Sequence, residues 1–462
     1  MIEKSTGKTA SERTLAEYGD RTFLQAWSYA NPINDAKKEF CDLLAIFDNH
    51  MFIFFDREKS LPHPEAESFE IYWNRWEKQV IKKQIRSCEG AARYIRSGRK
   101  LFLDQTLDTP LPIPFTSDTI VHKIIIAHGA AESCKESSAE NVSGSLAITY
   151  GEPGEEIKEG SPPFFLHLSR NDIVHVFDTS SAPIIFSELD TFFDFASYII
   201  EKERAIQSYR QLMYCGEEDL LAHYFLNTDP SRNSHYIGSR EDDITSILIG
   251  EGEWDDFIRT PAYISKKKAD EDSYLWDRLL EKTCANALNG TLMGNGDLFT
   301  GKSAISEMAK EPRFSRRALS QAMISAIQKF PENSSYMVRN VSYMPSFYSD
   351  RAYVFMQLKI GPDINRANDY RAIRQKMLEV ACAAMKNRVQ DLEYVIGIAV
   401  EPPRFAEQLS EDFILLDCRD WTEDIRRHYE EENTQSGMGF FTSPNMTSTH
   451  KSVKEFPNEA LR

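Results

Sequence analysis

The sequence predicts a mixed α/β protein, and three patterns predict it. Two apolar runs, Leu43-Leu44-Ala45-Ile46-Phe47 and Met51-Phe52-Ile53-Phe54-Phe55, flank Asp48-Asn49 and read as a hairpin of buried strands. Helical patterns then dominate from about 206 to 335. Beyond them, Ala352 to Leu358, Asn368 to Asn387, Tyr394 to Val400 and Phe413 to Leu416 follow in the order strand, helix, strand, strand, which predicts a small sheet covered by one helix. These patterns divide the chain into an α/β domain over 1–205, a helical middle region over 206–335, a small C-terminal α/β domain over 336–433 and a disordered tail over 434–462.

Composition agrees with this division and narrows the function. A chain of 462 residues has room for two or three domains, each with its own core. Its 41% apolar and 27% charged content is that of an ordinary globular protein. A formal net charge of -17 argues against a protein that coats nucleic acid over its whole surface, while leaving room for a local basic groove. The seven cysteines form no C-x-x-C pair, which reads as reduced thiols in a reducing compartment. The first residues, MIEKSTGKTASERT, have no apolar stretch of the secretory kind, and no apolar run is long enough for a membrane helix. The expected location is cytoplasmic, with no membrane partner.

Taken in order, residues 1–20 read as a polar, frayed arm, and Thr22 to Ala30 as an aromatic segment closed by Asn31-Pro32. The aromatic rings of Phe23, Trp27 and Tyr29 suit core packing better than base stacking. A helix carrying Lys37, Lys38 and Glu39 leads into the hairpin. From about Phe69 to Ser97 a long helix shows Trp73, Trp76, Val80, Cys88, Ala91 and Ile95 at spacings of three or four, with one gap at Lys83-Gln84 that turns one of those heads toward the sheet. The same helix carries Lys78, Lys82, Lys83, Arg86 and Arg93 and is the one basic surface in an acidic chain; its alternative reading is a solvated helix face. Leu101-Phe102-Leu103, Val121 to His128, Ser145 to Thr149, Phe164 to Leu168 and Ile173 to Phe177 read as strands, and Ser187 with Asp190 as the capping box of the helix that follows. Helices are expected at GEEDLLAHYFLN, SYLWDRLLEKTCANAL and RFSRRALSQAMISAIQKF.

Acids mark the ends of the hairpin. Glu39 stands where the preceding helix stops, Asp42 where the first strand starts, and Asp56 and Glu58 where the second stops. The turn folds residues 42 and 56 to one side. Carboxylates converging at strand ends suit a hard divalent cation, because Mg²⁺ takes a few carboxylates and keeps several waters. Phosphodiester hydrolysis needs such a cation to activate water and a nearby ammonium group to stabilise developing charge. The alternative is a strand edge wetted by charge.

The order of Glu39 on a helix, Asp42 on a strand, Asp56-Arg57-Glu58-Lys59 on the next strand and Lys83-Gln84 on the following helix resembles the core of the PD-(D/E)xK, or restriction-endonuclease-like, nucleases. The resemblance covers about residues 20–105. It implies a restriction-endonuclease-like core and Mg²⁺- or Mn²⁺-dependent cleavage of nucleic acid. Glu39, Asp42 and Asp56 would hold metal, and Lys59 or Lys83 would stabilise charge. Lys78, Lys82, Lys83, Arg86 and Arg93 would guide the nucleic-acid backbone. Gln84 sits where several such nucleases carry a helix glutamine. The acid-x-lysine element departs from the pattern, since residue 58 is glutamate; the lysine is displaced to Lys59, supplied by Lys83, or lost from a degenerate site. The arrangement resembles bacterial defence (anti-phage) nucleases, with the helical and C-terminal parts meeting a protein partner or a second copy of the chain. The competing reading is a non-catalytic interaction protein.

Two further patterns carry less. Gly296 to Ser303 matches the phosphate-loop spacing G-x-x-x-x-G-K-[ST], but helix and loop precede it where that mechanism needs a buried strand. His122, His128, His167 and His175 lack the spacing of a zinc site and read as core or surface histidines.

Overall fold

The computed structural model describes residues 4–111, 118–137, 143–151, 162–229, 234–241, 243–288, 298–332, 337–360, 369–406, 411–442 and 454–457. The fold is mixed α/β. It divides into two compact units, Ile2–Ile264 and Ser265–Asn458, so that the boundary falls inside the stretch read as a helical middle.

The N-terminal unit is built on a five-stranded sheet, in the order Ser28–Ala30, Leu43–Phe47, His50–Glu58, Ile120–His128 and His175–Asp178. The first three strands run antiparallel as a meander. The last three run parallel, because a helical crossover between Glu58 and Ile120 returns the chain to the same edge. The hairpin pairs Leu43 with Phe54 and Phe47 with His50, and Asp48 adopts φ 54° in its turn. Both hairpin strands are buried on both faces, which explains why they read as continuous apolar runs without alternation. One face meets Phe23, whose ring lies 5.4 Å from Phe52 and 5.2 Å from Phe195. Each such ring contributes roughly 1.5–3 kcal/mol by leaving water. The other face packs Leu44, Ile46, Met51 and Ile53 against Ala91 and Ile95.

The arm expected to fray is a helix, Ala10–Phe23. Thr9 caps it, accepting from the Glu12 N–H at 3.1 Å. Gly19 lets it lie close to the sheet, since a Cβ there would come within 2.8 Å of Leu43 and Ser28. The helix expected around Lys37, Lys38 and Glu39 is absent. Asn34 Oδ1 accepts from the N–H groups of Ala36 and Lys38 at 2.9 and 3.0 Å, an Asx turn that competes with helix formation, and Lys37 sits at φ 59°. The helix after the parallel strands starts later than expected. Ser187 belongs to a preceding helix, Ser181–Glu188, while Thr191 and Asp194 form the cap of Phe192–Ser208.

The gap in the long helical stripe has a structural cause. Phe69–Trp76 and Lys83–Arg96 are joined by a π-helical turn, Glu77–Lys82, in which the Lys83 N–H reaches back to the Lys78 carbonyl. The extra residue buries Val80 and Ile81 in succession and turns Gln84 inward, while Lys83 stays exposed.

A second sheet in this unit orders Ser246–Ile249, Gln211–Tyr214, Ala147–Gly151 and Phe165–Ser169. The C-terminal unit carries a four-stranded sheet, Val338–Pro345, Arg351–Lys359, Tyr394–Val400 and Glu411–Asp417, with Asp369–Arg388 as the crossover between the central parallel pair. That matches the strand, helix, strand, strand order and adds a half-exposed edge strand in front. The expected tail is ordered at its start: a helix runs Glu423–Gln435, and Asn433 pins the buried Phe440 through bonds of 2.8 and 3.0 Å. Among the described residues no helix is long and apolar enough to cross a membrane.

Candidate active site

The carboxyl ends of the parallel strands and the start of the Leu43 strand share one edge of the first sheet, where open α/β sheets place their ligands. The pairing brings Asp42 and Asp56 together there. Asp42 Oδ2 accepts the Asp56 N–H at 2.6 Å, and the Asp42 main chain bonds Phe54 and Asn31. Burial pushes the Asp42 carboxyl up to about 7. Glu12 and Asp56 push the same way, while the Asp56 N–H and Lys8 act against them.

The helix acid beside Asp42 is Glu12, whereas Glu39, expected in that place, stands outside any helix. Asn31 Nδ2 donates to Glu12 Oε2 at 3.0 Å and to Glu39 Oε1 at 3.2 Å, which ties both acids to the same corner. Lys8 donates its N–H to Glu12 at 2.8 Å and pairs its ammonium with Glu39. Burial alone would raise the Glu12 carboxyl; hydrogen bonds from Lys8, Asn31 and Thr9 outweigh it and leave it lowered. The signal for Glu12 was present in Thr9-Ala10-Ser11-Glu12, which has the capping-box spacing at the start of a helix.

Asp56 is almost fully buried, its side chain 2% exposed. Its Oδ1 lies 3.2 Å from His128 Nε2, and His128 Nδ1 lies 3.0 Å from Thr179 Oγ1. Asp56 Oδ2 is buried and has no hydrogen-bond partner. Buried polar atoms are nearly always paired, so this oxygen is available to a ligand.

The lysines fall elsewhere. Lys59 donates to Gln79 Oε1 at 2.9 Å, Lys83 is exposed on its helix, and Glu58 is exposed at the strand end. None of them is bonded to either aspartate. Lys78, Lys82, Lys83, Arg86 and Arg93 are all exposed along the crossover. Asn74, Glu77, Lys78, Lys82 and Arg86 line a shallow concavity of about 430 Å³ over the π-helical turn. Within it Lys82 pairs with Glu77 at 3.0 Å, and farther along Arg93 lies 3.8 Å from Glu89. On the opposite, buried face of the same helix the Trp76 indole N–H donates to the His128 carbonyl at 3.1 Å.

Residues 296 and 297 of the phosphate-loop match lie outside the described residues, and a helix already runs from Leu298 to Ala309. Within the described part of the match, residues 298–303, the backbone is helix. His122 and His175 are core residues sharing Glu203 Oε1 at 2.9 and 3.1 Å, with His50 3.0 Å from His122; their hydrogen bonds hold the Glu203 carboxyl low although its burial acts the other way. Among the described residues, no three or more histidine, cysteine, aspartate or glutamate side chains converge on a position for a metal ion. No protein-family model, curated protein or solved structure matches the chain.

Proposed function

We propose that the N-terminal unit is a divalent-cation-dependent hydrolase of nucleic-acid phosphodiester bonds. One observation carries this reading: Asp42 touches the main chain of Asp56 at a sheet edge, and beside that contact Asp56 Oδ2 is buried without a partner. Two carboxylates with water in the remaining positions suit Mg²⁺, which does not require an all-protein cage. A bound Mg²⁺ or Mn²⁺ supplies a Lewis acid and an activated water. Asp42 and Asp56 would hold it, with Glu12 as the helix acid behind them. Lys78, Lys82 and Arg86, which line the concavity over the π-helical turn, would take backbone phosphates.

The test is cleavage of labelled DNA and RNA with Mg²⁺ or Mn²⁺. Asp42→Ala and Asp56→Ala should each lower the rate at least about 100-fold while the circular dichroism spectrum is kept. A second reading, a non-catalytic interaction protein, is favoured by the exposed Glu58 and by Lys59 being held on Gln79. Wild-type protein that cleaves neither substrate with either metal, yet co-purifies with a stoichiometric protein partner, would select it.

A further inference from the structure

We propose that His128 and Thr179 are positioning residues that hold Asp56 so that only its Oδ2 faces the cation. This inference rests on the metal site proposed above. His128 Nε2 lies 3.2 Å from Asp56 Oδ1, an ion-pair contact in which the carboxylate can only accept. A neutral imidazole donating from Nε2 has an acceptor at Nδ1. Thr179 Oγ1, 3.0 Å from Nδ1, is then the donor. The carboxylate, which can only accept, thus sets the tautomer, the threonine hydroxyl holds the far side of the ring, and one oxygen of Asp56 is left over.

The ring is fixed from behind as well. The His128 carbonyl accepts from the Trp76 indole at 3.1 Å and from the Lys59 N–H at 3.4 Å. Gly129 follows at φ 92°, and a Cβ there would lie 2.2 Å from the Lys59 carbonyl oxygen, so the chain at this point can only be glycine. Thr179 comes from the turn between the His175–Asp178 strand and the Ser181–Glu188 helix. Three chain segments therefore meet on one carboxylate, the arrangement by which outer groups orient a metal ligand.

The experiment measures Mn²⁺ binding by calorimetry together with the ¹⁵N tautomer signature of His128. Wild type should bind Mn²⁺ and show the Nε2–H tautomer. His128→Ala should weaken binding about tenfold or more, the range seen when outer-shell partners are removed. His128→Gln, which keeps a donor, should recover part of the loss. Thr179 is exposed, so Thr179→Val should fold normally, keep the Nε2–H tautomer and weaken Mn²⁺ binding, whereas Thr179→Ser should match wild type. Wild-type affinity in both His128→Ala and Thr179→Val, with binding lost in Asp56→Ala, overturns the positioning role and leaves the metal site standing. A wild-type His128 that carries its proton on Nδ1 overturns it too. Wild-type protein that takes no Mn²⁺ overturns the metal site itself.

Discussion

Asp412 and Asp56 are both buried carboxylates, and their surroundings treat them in opposite ways. In the C-terminal unit Asp412 accepts from Arg371 and Arg374 at 2.7 and 2.6 Å and from Gln375 at 3.2 Å. In the N-terminal unit Asp56 has one oxygen near His128 and the other with nothing, beside an Asp42 whose carboxyl burial has lifted. Asp412 builds structure: its charge is matched by two guanidinium groups, and both oxygens are used. The acid edge of the first sheet is left incomplete at a cost in stability, as the proposed cation site would require.

The largest expected effect breaks the structural side of this contrast. Asp412→Ala takes the carboxylate away from Arg374, which is wholly buried, and should destabilise the C-terminal unit by about 3–5 kcal/mol in urea denaturation. The functional side should respond in the opposite direction. Asp42 has its folded-state carboxyl raised from 3.8 to about 7, so the folded protein holds a proton that the unfolded chain releases. The stability this gives is present at low pH and is lost as pH rises through that interval. In metal-free buffer at pH 8, Asp42→Asn should therefore stabilise by about 1–3 kcal/mol while abolishing cleavage. The neutral amide oxygen still accepts from Asp56.

A third buried acid sharpens the comparison within the N-terminal unit. Glu218 is raised from 4.5 to about 8, by burial first and then by Asp178, which is itself raised by burial. The two carboxyls titrate as a pair. The sign is that of Asp42: stability should fall between about pH 4.5 and 8. Glu218→Gln should flatten that part of the pH profile and raise the melting temperature at pH 8, an effect of about 1 kcal/mol or more. The smallest effect on the fold belongs to the basic groove. Lys78→Ala, Lys82→Ala and Arg86→Ala combined should change stability by no more than about 0.5 kcal/mol. In filter binding, the slope of log affinity against log salt should drop by about 2–3, because each phosphate contact contributes about 0.7–0.9.

What the sequence disclosed followed from short-range patterning. The hairpin, the basic helix and the strand, helix, strand, strand order of the C-terminal unit were legible because apolar spacing reports burial directly. Asp42 and Asp56 were legible as a pair because one tight turn joins their strands. Glu12 was missed because polar residues surround it and its only signal was a cap. His128 and Thr179 were missed for a different reason: parallel pairing across the crossover brings them to Asp56, and no local pattern encodes that meeting. The lysine expected beside the acids is held by Gln79, a contact set by the π-helical turn and invisible to periodicity.

That turn has a consequence for how the chain tolerates change in length. Glu77–Lys82 holds the one residue by which the segment exceeds an ordinary helix, so a single deletion there relaxes it to α-helix with the downstream faces kept, whereas a deletion in Lys83–Arg96 rotates everything beyond it by about 100°. A deletion early in that helix would swing Ala91 and Ile95 toward solvent as charged neighbours swung in. The slack of the basic helix therefore sits at the π-turn, and it is the regular turns after it that work as a ratchet set to one tooth.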